Sequence, residues 1–165
     1  MIAALLFAVA AEAKDWPSAD IVAEATVPAT PEAMTAVLSD LARVGTLLPR
    51  ECVGAWVVGS PPSGQGATAT VRYDMAAMHR KLAMTVSRVE ADDSRAIVDW
   101  DHAGNKGFIT RWTITATDTG STVKLASPLN PPPWPFTKYY FDTVKPEWEG
   151  CQLQFIEAVA KAAGG

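Results

Sequence analysis

Residues 136–163 constrain this chain most. Trp148, Cys151, Phe155, Val159 and Ala162 recur there at helical spacing and form one apolar stripe. A helix with a single apolar stripe buries it against another element. The chain before it reads as strands, so one long helix after a run of strands implies a sheet curved around that helix. Pro146 interrupts the run, and a proline inside a helix loses one hydrogen bond and crowds the preceding turn. The sequence therefore predicts a kink or break near Val144-Lys145. It divides the segment into an aromatic lead at 136–144 and a main helix at 146–163, about 27 Å long. Glu147 and Glu149 then sit favourably at the new helix start. Ahead of them Pro131-Pro132-Pro133-Trp134-Pro135 reads as a stiff spacer.

The strands are read from period-two alternation. Ile21, Ala23, Ala25 and Val27 share one face, opposite Val22, Glu24 and Thr26. Thr30-Pro31-Glu32 then opens a helix, with Thr30 as cap, Pro31 at the first helical position and Glu32 at the positive end of the dipole. Ala33, Met34, Val37, Leu38 and Leu41 give that helix an apolar face over 31–42; Gly45 ends it, and a short helix or turn follows at 46–48 before Pro49. Further strands are expected at 53–59, 67–75, 80–89, 95–102, 108–117 and 121–126, separated by turn-forming runs such as Ala91-Asp92-Asp93-Ser94 and Gly104-Asn105-Lys106-Gly107. No helical crossover lies between these six, so they form an antiparallel meander. The expected fold class is α+β: a seven-stranded curved antiparallel sheet around a long C-terminal helix, with two short helices between strands one and two.

At 165 residues the chain is expected to form one domain over 14–165, large enough to bury a core. Residues 1–13, MIAALLFAVAAEA, resemble the apolar region of a secretory signal ending in an Ala-x-Ala cleavage site, although a positively charged start is missing; the alternative is an N-terminal helix packed on the domain. The protein is accordingly expected to be exported, periplasmic or secreted, or otherwise cytoplasmic. No apolar run reaches the length of a membrane span. The net charge of −4 and the scatter of the 14 Lys and Arg residues argue against a nucleic-acid partner. The protein is expected to act as a monomer.

Cys52 and Cys151 are far apart, in no metal-binding spacing. They are either one disulfide or two buried thiols, and the place of Cys151 on the apolar stripe favours the second reading. No phosphate loop, metal motif or nucleophile elbow is present, so no cofactor is expected. Asp99, Asp101 and His102 form the densest polar cluster. Alternation sends the two carboxylates to solvent and His102 inward or to the strand end. His79 reads as an exposed turn residue, and Arg72 and Arg111 as outward-facing.

The order strand, two short helices, six-strand meander and long helix, with Thr30-Pro31-Glu32 after the first strand, Leu48-Pro49 before the second and a helix from Trp148 to Val159, resembles the helix-grip fold. This is the fold of the START-like superfamily, which includes the birch-pollen-allergen-like proteins and the polyketide cyclase/dehydrase and lipid-transport group. The resemblance spans residues 20–163 and rests on topology, not on a catalytic signature. It implies an apolar cavity between the inner sheet face and the last helix, holding a hydrophobic small molecule such as a lipid, sterol, quinone or polyketide. Tyr73, Met75, Met84, Trp100, Phe108, Trp112, Phe136, Tyr140, Trp148 and Phe155 are the expected ligand-binding residues, with Tyr139 beside them and the mouth at 136–144. No catalytic residue stands out. The alternatives are a cyclase-type enzyme using Tyr73, His102 or Arg111 in the same cavity, and a protein-interaction module with a filled core.

Overall fold

β1 (Ile21–Val27) alternates as its sequence requires: Ile21, Ala23 and Val27 are buried and Glu24 is exposed. The protein is described here from a computed structural model, which covers residues 20–75, 78–103, 108–128, 133 and 135–164, and at 75 and 78–80 the backbone alone. The expected signal-like segment 1–13, the turn at 104–107, most of the proline cluster and the His79 side chain lie outside the described residues.

α1 (Pro31–Ser39) starts as expected, with the Thr30 hydroxyl accepting a hydrogen bond from the Ala33 N–H at 3.2 Å. It stops three residues earlier than the expected 31–42. Asp40 accepts from the N–H groups of both Ala42 and Arg43 at 3.1 Å, which caps a new helix, α2 (Leu41–Leu47). Gly45 does not break helix; it lies within α2. The Trp56 ring covers it so closely that a Cβ there would lie 2.4 Å from Trp56 Cδ1.

The remaining strands are β2 (Val53–Val58), β3 (Thr68–Met75), β4 (Met78–Ala91), β5 (Arg95–Ala103), β6 (Ile109–Thr117) and β7 (Gly120–Ser127). All seven form one antiparallel sheet in the order β1-β7-β6-β5-β4-β3-β2. The meander runs from β2 to β7, and β1 pairs beyond β7, so α1 and α2 carry the chain from one edge of the sheet to the other. The sheet curls around the C-terminal helix, which packs on β1 and α1. A bulge at Ser87, between Val86 and Arg88, shifts the β4–β5 register and adds local bend.

On the outer face Asp99 lies opposite Arg111 in the β5–β6 register. Asp99 points outward as expected, yet it is shielded from solvent. The Arg111 Nε and Nη2 groups donate to its two carboxylate oxygens, both at 2.8 Å, and cover it. Such a bidentate, charge-assisted pair is the strong form of a surface ion pair.

The last segment is helical without a break from α3 (Thr137–Tyr139) through a π turn (Tyr140–Val144) to α4 (Lys145–Gly164). The expected break at Pro146 is therefore replaced by a change of hydrogen-bond period. The Lys145 N–H donates to the Tyr140 carbonyl, five residues back, immediately before the proline that has no N–H to give. Glu149 ties the helix to the sheet edge: its carboxylate accepts from the Val22 N–H at 3.3 Å and pairs with Lys145.

Two apolar clusters result. The larger joins α1, the inner face of the sheet and the stripe Phe155, Ile156, Val159 and Ala160. The smaller, Ile21, Cys52, Tyr140, Val144 and Trp148, lies under the start of the helix. Among the described residues no helix is long and apolar enough to cross a membrane.

Candidate functional site

A cleft of about 60 Å³ lies where β2 and β3 face the first half of α4. Its outer end is half-buried and apolar, formed by Leu48, Pro49, Val53 and Trp56. Trp56 is fixed there by donating its indole N–H to the Leu41 carbonyl at 2.9 Å. Aromatic rings make the walls. Trp148 stacks at a tilt on Tyr73 with centroids 5.2 Å apart, and Trp100 meets Phe155 at 5.8 Å. Cys52 and Cys151 also line the cleft and are joined as a disulfide with Cα atoms 6.1 Å apart. The preference for two separate thiols is thereby corrected: the curl of the sheet brings the residue before β2 against the helix.

The inner end is polar. Thr110, Ser127 and Gln152 line it, each buried, one from β6, one from β7 and one from α4. They belong to a chain of four side chains. Gln152 Nε2 lies 3.2 Å from Ser127 Oγ, Ser127 Oγ lies 3.0 Å from Thr110 Oγ1, and Thr110 Oγ1 lies 3.1 Å from His102 Nε2. The Gln152 amide N–H is the donor at the head of the chain. Gln152 donates to Ser127, while each hydroxyl beyond it can donate or accept along the chain to His102 Nε2. Among the described residues four buried polar atoms of cleft or chain side chains have no hydrogen-bond partner: Gln152 Oε1, Trp100 Nε1, Trp148 Nε1 and His102 Nδ1. Buried polar groups are nearly always paired, and three of these four belong to side chains that line the cleft.

Burial holds His102 neutral, with its pKa pushed down to about 4. The unfolded chain binds this proton near pH 6.5 and the native state only near 4, so between those values the unfolded state carries more protons. His102 therefore contributes stability that is complete above pH 6.5 and is lost as pH falls towards 4, a loss of about 3 kcal/mol. Urea unfolding of wild type and His102→Gln at pH 7 and pH 4.5 checks this: the wild type is expected to lose more stability than the variant. Equal losses would show that His102 is not held neutral. The Tyr73 phenol is raised by burial and stays protonated. Tyr140 is pushed up to about 12, chiefly by burial and then by the carboxylates of Glu149 and Asp20.

Of the expected ligand-binding residues, the structure brings Tyr73, Trp100, Trp148 and Phe155 together in the cleft. Met84 and Trp112 lie in the larger apolar cluster, and Trp112 meets Trp100 and Phe155 edge-on. Phe108 covers His102, with centroids 4.6 Å apart. Tyr140 packs in the smaller cluster and Phe136 is 63% exposed, so neither lines the cleft. The Met75 side chain lies outside the described residues. Of the three residues expected for cyclase-type chemistry, Tyr73 lines the cleft, His102 reaches it through Thr110, and Arg111 is on the outer face.

The sequence reading missed the polar members. Thr110 shares the parity of Phe108 and Trp112, Ser127 that of Val123 and Leu125, and Gln152 stands one helical turn beyond Trp148. Each position was on the inner face by spacing; only its polarity disguised it. Among the described residues no group of three His, Cys, Asp or Glu side chains is placed to hold a metal.

Comparison with solved structures finds the same fold in several proteins. The KanY protein is 22% identical, with a TM-score of 0.73 over 91% of this chain and 100% of that one. The hypothetical protein jhp0584 from Helicobacter pylori is 10% identical, with a TM-score of 0.65 over 90% of this chain and 94% of its own. A norcoclaurine synthase point mutant from Thalictrum, solved with a transition-state analogue, is 15% identical, with a TM-score of 0.58 over 87% and 92%. No curated protein matches the chain. The family model described as polyketide cyclase/dehydrase and lipid transport matches residues 18–155. Topology and sequence thus agree, and the chain belongs to the polyketide cyclase/dehydrase and lipid-transport family.

Proposed function

We propose that this protein binds a hydrophobic small molecule in the cleft between β2, β3 and α4. The observation that carries the reading is the cleft itself: aromatic walls, an apolar outer end and a few buried polar groups at the inner end. That is the general form of a small-molecule site. The family and fold are consistent with it. The space is smaller than the roughly 300–1,000 Å³ of a drug-sized pocket. It takes one end of a ligand, whose body lies over Leu48, Pro49, Val53 and Trp56. Tyr73, Trp100, Trp148 and Phe155 are the contact residues of this reading. The disulfide supports export, because such bonds persist in oxidising compartments.

Thermal unfolding with a panel of lipids, sterols, quinones and small aromatics tests the reading. A ligand at one hundred times its Kd stabilises by about 2.7 kcal/mol. For a chain of this size the melting temperature should rise by about 5–10 °C. Trp148→Ala is expected to abolish that rise. No shift with any member of the panel would contradict a binding role.

A further inference from the structure

We propose that the inner end of the cleft is a receptor for a neutral hydroxyl group, so that the ligand is an apolar molecule bearing a phenol or alcohol at one end. The proposal rests on the binding role given above and names the chemistry of its polar contact. Gln152 carries the argument. Its Nε2 is committed to Ser127, at the head of a chain that ends on His102, while its Oε1 has no partner. That oxygen accepts only, so it requires a donor. Trp100 and Trp148 line the same cleft, and each has an indole N–H without a partner. Those groups donate only, so they require an acceptor. A hydroxyl answers both needs with one atom: its proton goes to Gln152 Oε1, and its oxygen accepts from an indole N–H.

Other heads fit worse. A ketone or an ether accepts from an indole but leaves Gln152 Oε1 unpaired. A carboxylate or phosphate does the same and brings a charge into the site. Among the described residues no Lys, Arg, Asp or Glu lines the cleft, so nothing compensates that charge. His102 cannot supply a positive charge at neutral pH, because burial keeps it unprotonated.

The test uses three naphthalenes of similar size: 2-naphthol, 2-methoxynaphthalene and 2-naphthoate, titrated into the full chain by calorimetry at pH 7.5. The expected result is that 2-naphthol binds at least about ten-fold more tightly than either of the others, the effect of one buried hydrogen bond gained. In Gln152→Met the naphthol should lose that advantage and come within about three-fold of the methyl ether measured on the same variant. Equal affinities for all three in the wild type, or a preference for the naphthoate, would overturn the hydroxyl proposal while leaving the binding role intact. Failure of all three to bind would overturn both. The wild-type comparison decides the matter even if the variant does not fold.

Discussion

Replacing Cys52 and Cys151 together by alanine is expected to lower the unfolding free energy by about 4 kcal/mol. The two cysteines are 99 residues apart, so their bond closes most of the domain into a loop and removes a large share of the unfolded chain's freedom. The chain-entropy relation gives about 4.7 kcal/mol for a loop of about 100 residues. An ordinary domain has only about 5–15 kcal/mol in all. The local consequence follows from place. Cys52 belongs to the small cluster with Ile21, Tyr140, Val144 and Trp148, and the bond holds α4 against the chain entering β2. Without it the start of the helix and the cleft wall should loosen before the main core does. Urea unfolding of wild type, of wild type under dithiothreitol, and of the double variant checks the expectation. The last two should agree with each other. A loss below about 1 kcal/mol would show that the cross-link adds little to the packing around it.

The second large effect is in the main core. Trp112→Ala is expected to cost about 3–5 kcal/mol. The ring is fully buried and is held edge-on by Trp100 at 5.5 Å and by Phe155 at 5.2 Å. Removing it leaves a void between the sheet and α4 that neither neighbour can fill, because each is also a wall of the cleft. Trp112→Phe should cost far less. It keeps a ring at the same contacts, and it deletes an indole N–H that has no partner. The difference between the two variants, measured by the same unfolding experiment, is the prediction. Comparable losses would mean that the indole nitrogen is bonded and that the packing account is incomplete.

The strands and their inward faces could be read in the sequence because period two is a local property. Ala96, Val98 and Trp100 are buried on β5 as their alternation requires. Helix boundaries were harder. Asp40 ended one helix and capped the next through its own side chain, whereas Gly45, the stronger breaker by composition, lies within α2 where the Trp56 ring leaves no room for a Cβ. Pro146 left the helix continuous and is preceded by a π turn over Tyr140–Val144.

The composition of the cleft was the least visible feature. An inward aromatic either fills space or lines it, and the choice depends on sheet curvature and helix position, neither of which is local. Trp112 and Trp100 have the same residue type, the same face and the same core cluster, yet only Trp100 also lines the cleft. The pairing of Cys52 with Cys151 was equally a matter of tertiary distance. The polar chain was concealed for another reason. Thr110, Ser127 and Gln152 are ordinary residues whose significance arises only when three elements converge.

The central claim is that ligand enters the cleft walled by Trp100 and Trp148 and meets their indole groups. Its most direct test is a nitrogen-15 NMR titration of the tryptophan indole resonances with 2-naphthol, since the chain has 6 tryptophans, each with its own signal. The Nε1–H signal of Trp100 or Trp148, whichever gains the ligand oxygen as acceptor, should move downfield and saturably. Trp56, already bonded to the Leu41 carbonyl, and Trp112, outside the cleft, should move little. Shifts confined to other tryptophans, or no saturable shift at all, would contradict the account.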